Sequence, residues 1–148
     1  HPTSEKEVHR QIYLRREDAG MIIHAHTKKA MAVSVRKIRE VPCLVEEMSQ
    51  LIGGGIPITP QYVPAEQHFQ LGTAAAENIG NRNGVILRNH GPVAVGRNPE
   101  EAVLMVEVIE KACEIFLDQG QMFYAPIPQC YIDSERYRYL YKYGNEKT

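Results

Sequence analysis

The sequence predicts a single α/β domain in which helices alternate with strands around a sheet. The 148 residues are the length of one domain, 43% of them are hydrophobic, and segments with strand and helix patterns alternate along the chain. The formal net charge is −1 and no basic block is present, which argues against a nucleic-acid partner. No apolar run approaches the ~20 residues that a membrane span requires, so no membrane partner is expected either.

The elements of the first half are predicted from caps and apolar periodicity. Ser4 and Glu7 form the S-x-x-E pattern of a capping box, so a helix is predicted from Ser4 to about Glu17. Three consecutive glycines and three prolines predict a loop in which one short strand fits. The elements predicted after this helix are a strand over 20–26, a helix over 28–37, a short strand over 41–45 and the loop over 52–64.

The second half is predicted to contain the longest helix, from Pro99 to about Gln119. Proline suits a first helical turn, acidic residues follow it, and Gly120 suits the helix end. In the C-terminal tail, residues 121–148, every second residue from 137 to 143 is a tyrosine, a pattern that also suits an edge strand. The other predicted elements are a short helix capped by Thr73 over 73–79 and strands over 84–89 and 93–95.

The cysteine content indicates a reducing compartment. Cys43, Cys113 and Cys130 are widely spaced and odd in number, and no CxxC pair occurs. This pattern is not that of a disulfide framework or of a cysteine zinc site. We therefore expect free thiols in a cytoplasmic protein.

Three histidines lie where they could bind one metal ion. His24 and His26 are two residues apart on a predicted strand, so their imidazoles point to the same face of the sheet. His90 follows another apolar strand, and sites in open α/β sheets lie at strand ends. Three histidines match a catalytic zinc shell with one position open. The alternative for each residue is a polar strand or turn histidine without a metal.

Residues at the start of the first helix could complete such a site. Glu5 could be a fourth ligand or a catalytic base, or it could only interact favourably with the helix dipole. Thr3 and Ser4 combine hydroxyl groups with the N–H groups of a helix N-terminus, which suits a phosphate. The same two residues are also accounted for by helix capping alone.

The order of these motifs resembles that of the class II aldolase/adducin family. The matching segments are Pro2-Thr3-Ser4-Glu5, His9, Tyr13, Ile23-His24-Ala25-His26, Asn89-His90-Gly91 and Val95-Gly96. The resemblance implies a three-layer αβα sandwich with a mixed, mostly antiparallel central sheet. It also implies a homotetramer with active sites at the subunit interfaces, and one Zn²⁺ per subunit, or another divalent transition metal. The ligands implied for that ion are Glu5, His24, His26 and His90.

The resemblance implies a lyase that cleaves a sugar 1-phosphate, such as L-fuculose 1-phosphate, reversibly to dihydroxyacetone phosphate and an aldehyde. Glu5 would leave the metal as substrate enters and shuttle a proton, and a glutamate there favours a lyase over an epimerase. Thr3 and Ser4 would hold the substrate phosphate. The tail segment around Tyr143 would close over the active site, which makes Tyr143 a second candidate catalytic residue.

Two departures from the family pattern keep other activities open. The family's segment ahead of the Thr-Ser-Glu motif, which helps to bind phosphate, is absent, so residues 1–148 are expected to be one domain lacking its N-terminal part. The stretch 41–47 contains no tyrosine to protonate the departing aldehyde. The alternatives are a sugar-phosphate epimerase, dehydratase or decarboxylase of the same family, a non-catalytic adducin-like oligomerisation module, and a zinc hydrolase.

Overall fold

A computed structural model of the protein describes residues 3–120 and 124–143. These residues form five α-helices, five strands and one π-helical segment. In chain order the elements are α1 (Lys6–Arg15), β1 (Met21–His24), α2 (Lys28–Ser34), β2 (Glu40–Val41), the π-helical segment (Met48–Ile52), β3 (Ile56–Pro57), α3 (His68–Ile79), β4 (Gly84–Ile86), β5 (Pro92–Gly96), α4 (Pro99–Gln119) and α5 (Gln129–Tyr141). The predicted alternation of helix and strand is confirmed. None of the described helices has the length and apolar character needed to cross a membrane.

The main sheet has three antiparallel strands with β5 in the centre, between β1 and β4. In this register His24 lies opposite Val93, and Met21 lies opposite Gly96. The short strands β2 and β3 form a second antiparallel pair. A single parallel bridge between Ile58 and Ile86 joins this pair to the edge of β4. The described strands thus form a small, mostly antiparallel sheet system.

Helices cover both faces of the main sheet. Val93 and Val95 pack in one apolar cluster with residues of α1 and α3, whereas Ala94 packs in a second cluster with α4 and the π-helical segment. Because side chains alternate along a strand, these two clusters lie on opposite faces of β5. Each fully buried aliphatic side chain in them contributes about 1.5–3 kcal/mol relative to an exposed one. This packing fixes the strand ends from which the histidines project.

The first helix begins later than predicted and without the predicted capping box. Glu5 occupies the cap position of α1, and its side chain makes no cap hydrogen bond. The Thr3 hydroxyl accepts a hydrogen bond from the Glu5 N–H at 3.3 Å. The Glu7 carboxylate accepts bonds from Arg10 and Gln11 instead of turning back towards Ser4. The capping-box prediction is therefore wrong, and α1 ends at Arg15 rather than near Glu17.

Helix α3 begins five residues before the predicted cap. Thr73 lies inside the helix, where its hydroxyl donates to the Gln11 side-chain oxygen at 3.0 Å. The residue before Thr73 is Gly72, and α1 passes very close to it. A Cβ at Gly72 would lie 2.5 Å from the Glu7 carbonyl oxygen. The glycine therefore serves helix–helix packing and does not break the helix.

Tyr137, Tyr139 and Tyr141 lie on helix α5 and Tyr143 lies in the turn after it, so the edge-strand interpretation is wrong. Helix α5 buries Ile132, and the Tyr139 hydroxyl donates to Glu101 Oε1 at 2.5 Å. Arg136 Nη1 donates to the carbonyl oxygens of Gln50 and Leu51 at 2.7 and 2.9 Å. Polar contacts over long sequence separations hold α5 in place. Residues 121–123 and 144–148 of the predicted tail lie outside the described residues.

Candidate metal centre

Three histidine side chains converge at one end of the main sheet. His24 is the last residue of β1, His26 follows two residues later, and His90 lies in the turn between β4 and β5. The distance from His24 Nε2 to His90 Nε2 is 3.4 Å, and that from His90 Nε2 to His26 Nε2 is 3.1 Å. The antiparallel pairing of β1 with β5 brings together residues that are more than sixty positions apart in the chain.

Glu5 completes the cluster from the start of α1. Its Oε1 lies 2.9 Å from His90 Nε2, and its Oε2 lies 3.2 Å from His24 Nε2. One ligand atom from each of the four residues lies within 4.8 Å of the others. A tetrahedral shell with bonds of about 2.0–2.1 Å separates its ligand atoms by about 3.3 Å. The cluster therefore has the donor types and spacing to hold a divalent metal ion.

The environment favours the neutral form of two of the rings, and it fixes the tautomer of His24. His24 Nδ1 lies 2.9 Å from the Pro92 carbonyl oxygen, which can only accept, so Nδ1 carries the proton and Nε2 presents its lone pair. Burial lowers the pKa of His24, although the Pro92 carbonyl and the Glu5 charge oppose that shift. Burial likewise lowers the pKa of His90 against the opposing charge of Glu5. Burial thus favours the neutral form of both imidazoles, which is the form that binds a metal ion.

The lowered pKa values predict an acid-sensitive metal-free protein. Below the ordinary histidine pKa of about 6.5, the unfolded chain binds protons that the folded chain resists binding. The stability that His24 and His90 contribute is therefore full above that pH and lost as the pH falls. We expect the melting temperature of chelator-treated protein to fall from pH 7 to pH 5.5, and to fall less in a His90→Asn variant. A melting temperature that stays constant or rises over this interval contradicts the assignment.

The turn that carries His90 is built by Asn89 and Gly91, which belong to the Asn-His-Gly motif of the sequence, and by Arg88, which sequence reasoning missed. Asn89 has a positive φ of 55°, and a Cβ at Gly91 would lie 2.4 Å from the Ala25 carbonyl oxygen. The Arg88 guanidinium donates to the carbonyl oxygens of Thr59, Ser34, Arg36 and Ile38. The Asn-His-Gly order itself was a usable signal, because asparagine tolerates left-handed backbone and glycine permits close backbone approach.

The other predicted site residues lie in two different places. Thr3 is bonded to the backbone of Glu5, and both Thr3 and Ser4 are exposed at the start of α1. The Tyr143 ring lies next to the Tyr139 ring, and the Tyr139 hydroxyl donates to Glu101. The Glu101 carboxylate in turn accepts a hydrogen bond from the Arg97 N–H just beyond β5. Tyr143 thus lies towards the far end of β5, a strand about 13 Å long. The structure brings Thr3 beside the cluster and does not bring Tyr143 of the same chain to it.

A basic cavity adjoins the residue before His90. It has a volume of about 400 Å³ and is lined by Lys37, Arg39, Arg88 and Asn89, with Val35, Ile38 and Pro60. No acidic side chain is among these lining residues. Within the part of the chain that the structure describes, neither Lys37 nor Arg39 forms an ion pair. The cavity therefore presents uncompensated positive charge close to the histidine cluster.

Comparisons with known proteins identify relatives of this chain. The L-fuculose phosphate aldolase of Escherichia coli strain K12 is 28% identical over 116 residues, which cover 78% of this chain and 53% of that protein. The α-adducin of Rattus norvegicus is 35% identical over 112 residues, covering 73% of this chain and 14% of that protein. A solved structure of an L-fuculose 1-phosphate aldolase matches with a TM-score of 0.86 at 25% identity, covering 95% of this chain and 65% of that one.

The matches also show how much of its relatives this chain covers and which family it belongs to. It spans about half the length of the curated aldolase relatives that it matches. The sequence profile of one family, described as the class II aldolase and adducin N-terminal domain, matches residues 1–117. The chain belongs to the class II aldolase and adducin N-terminal domain family.

Proposed function

We propose that the protein is a divalent-metal-dependent lyase that cleaves a sugar 1-phosphate of the L-fuculose 1-phosphate type to dihydroxyacetone phosphate and an aldehyde. The observation that supports this most strongly is the convergence of Glu5, His24, His26 and His90, whose ligand atoms all lie within 4.8 Å of one another. Three imidazoles and a carboxylate suit Zn²⁺. When bound, the ion would supply Lewis-acid stabilisation of negative charge on substrate oxygens.

Glu5 is the proposed proton carrier. Its carboxylate is largely buried, and its two oxygens contact the Nε2 atoms of His24 and His90. In the cleavage direction it would give a proton to the carbon of the dihydroxyacetone phosphate fragment at which the carbon–carbon bond has broken. In the condensation direction it would remove that proton. Glu5 would leave the metal position as the substrate enters, and its free carboxylate could then do both.

The substrate's phosphate has two sources of recognition. Thr3 and Ser4 offer hydroxyl groups beside the N-terminus of α1, as the family resemblance implies. The cavity with Lys37, Arg39 and Arg88 adds positive charge next to the turn of His90. Lysine and arginine are the side chains that bind phosphate oxygens most strongly. Together they favour a phosphorylated sugar over a neutral one.

The basic cavity gives a direct test of substrate charge. A Lys37→Ala/Arg39→Ala double variant should raise KM for the sugar phosphate about tenfold with kcat nearly unchanged, because only ground-state binding is lost. A Lys111→Ala/Arg138→Ala double variant removes the same charge from α4 and α5, where both side chains pair with carboxylates, and serves as control. Equal KM values in the two double variants would exclude the cavity from substrate binding.

The architecture of the complete protein follows the same proposal. Helices on both faces of the sheet support a three-layer αβα sandwich for the whole domain. The proposed enzyme is cytoplasmic and assembles as a homotetramer. The position of Tyr143, far from the cluster of its own chain, supports an active site at a subunit interface. Tyr143 would then act in the site of a neighbouring subunit.

A non-catalytic oligomerisation module is the second candidate, because rat α-adducin is 35% identical to this chain. The complete donor set argues for the enzyme, since a module of this kind need not keep four metal ligands. An epimerase, dehydratase or decarboxylase would use the same metal but would release no dihydroxyacetone phosphate from a sugar 1-phosphate.

The deciding experiment is a substrate panel with a dihydroxyacetone phosphate readout. The full chain is assayed with L-fuculose 1-phosphate, L-rhamnulose 1-phosphate and L-ribulose 5-phosphate, before and after chelation. We expect release from a 1-phosphate that chelator abolishes and Zn²⁺ restores. Release that is insensitive to chelator, or no release from any of the three, would contradict the proposal.

A further inference from the structure

The helix that follows His26 is capped from a distant part of the chain. Thr27 occupies the cap position of α2, yet its hydroxyl makes no cap bond. That hydroxyl is buried and has no hydrogen-bond partner among the described residues. The first turn of α2 is bonded instead by Glu110, from the middle of α4. Glu110 Oε1 accepts from the Lys29 N–H at 2.8 Å, and Oε2 accepts from the Ala30 N–H at 3.0 Å.

This arrangement replaces a local cap with a charged one. A helix N-terminus leaves N–H groups without partners and carries partial positive charge, so a carboxylate that binds two of them is held strongly. A threonine hydroxyl could have satisfied one of these N–H groups from the same segment. Glu110 satisfies two, and it joins the start of α2 to a helix that packs against the main sheet.

The cap lies next to the candidate metal ligand that has the least support of its own. The His24 ring is buried and bonded through Nδ1 to Pro92. His26 is exposed, and no described residue bonds to its Nδ1. Its position therefore depends on its backbone, which is tied on one side by the Ala25 N–H to the Pro92 carbonyl oxygen at 3.1 Å. On the other side the tie is the Glu110 cap of α2.

We infer that Glu110 is a positioning residue for the metal centre: by capping α2 it sets the place of His26. The inference rests on the proposed metal-binding function of the cluster. Sites of this kind need their ligands held to within about 0.5 Å, and residues behind the ligands supply that precision. Glu110 is not one of the four residues of the cluster, so it would act through the backbone of His26.

The chain offers a closely matched control. Glu114 lies one turn further along α4 and forms an ion pair with the Lys29 side chain, Nζ to Oε1, at 3.1 Å. It contacts the same residue of α2 but accepts no backbone hydrogen bond from it. A Glu114→Ala variant therefore removes the same charge from the same helix while leaving the cap intact.

The experiment compares Glu110→Ala, Glu110→Gln and Glu114→Ala as full chains after chelator treatment. Co²⁺ is titrated in, and its affinity and visible absorption spectrum are recorded well below the melting temperature of each variant. We expect Glu110→Ala to bind Co²⁺ at least tenfold more weakly with altered band intensities. Glu110→Gln, which keeps one acceptor oxygen, should lie between it and the wild type, and Glu114→Ala should match the wild type.

A purely structural role gives a different result. It would lower the melting temperature of metal-free Glu110→Ala but leave the Co²⁺ affinity and spectrum as in the wild type, and that outcome overturns the inference. Amide NMR spectra of the metal-free proteins separate this from a failure of the proposed function. If wild type binds no Co²⁺, the function fails, while shifted resonances at Ala25–Thr27 in Glu110→Ala still support the positioning role. Unchanged resonances there overturn it.

Discussion

Replacing Glu5 with glutamine should lower the rate of aldol cleavage by roughly 10²–10⁴-fold, which is the range for loss of a general acid–base group. The amide keeps the shape of the side chain and one oxygen that faces His24 and His90. It can no longer give or take the proton. We therefore expect kcat to collapse in Glu5→Gln while one metal ion per chain stays bound, as measured by steady-state kinetics and elemental analysis of the same sample.

Glu7→Gln is the control for this substitution. Glu7 lies on the same helix, and its carboxylate bonds to Arg10 and Gln11 rather than to the histidines. It should retain nearly full activity. If metal-loaded Glu5→Gln works within about twofold of the wild-type rate, Glu5 is not the proton carrier.

Gly91→Ala should have the second-largest effect. We expect it to lower the affinity for the metal ion by roughly ten- to a hundredfold. A methyl group at Gly91 would lie 2.4 Å from the Ala25 carbonyl oxygen, which is backbone and cannot rotate away. The turn carrying His90 must move away from the segment that carries His24 and His26. Nitrogen atoms that lie 3.1 and 3.4 Å apart would then no longer share one tetrahedral position. Titration of Zn²⁺ into chelator-treated protein measures the loss.

Gly80→Ala separates this clash from the general cost of replacing a glycine. Gly80 ends α3 with a φ of +56°, and a Cβ there meets nothing within 4 Å. That variant should lose stability through backbone strain and keep its metal affinity. A folded Gly91→Ala protein with wild-type affinity would show that the close approach does not position His90.

Two of the candidate metal ligands have a signal that is local in the sequence. The H-x-H spacing predicts two imidazoles on one face of a strand, and in the structure His24 ends β1 while His26 follows it by two residues. Their meeting with His90 and Glu5 was expected from the family resemblance, and the pairing of β1 with β5 provides it. Helix α4, from Pro99 to Gln119, also agrees with its prediction, because its signals, the first-turn proline and acids and the glycine at its end, all lie at the ends of the helix itself.

The missed features depend on contacts between residues that are far apart in the chain. Ile132 is the only buried residue of helix α5, so the sequence shows no apolar periodicity that predicts this helix. Arg136 holds it by hydrogen bonds to backbone carbonyl groups, which no sequence pattern indicates. The start of α3 was predicted too late. Gly72 lies inside this helix because the neighbouring helix α1 leaves no room for a side chain there, a contact that the sequence does not show. Glu110 is one acid among several on α4, and only the fold shows that it caps α2.

The central claim is that Glu5, His24, His26 and His90 hold one divalent metal ion. The most direct test is calorimetric titration of Zn²⁺ into chelator-treated protein, with His24→Ala as the comparison because His24 is the most buried of the three rings. The account predicts one tight site per chain in the wild type and its loss in His24→Ala. A wild-type protein that binds no Zn²⁺, or a His24→Ala variant that binds it with unchanged stoichiometry and affinity, would contradict the account.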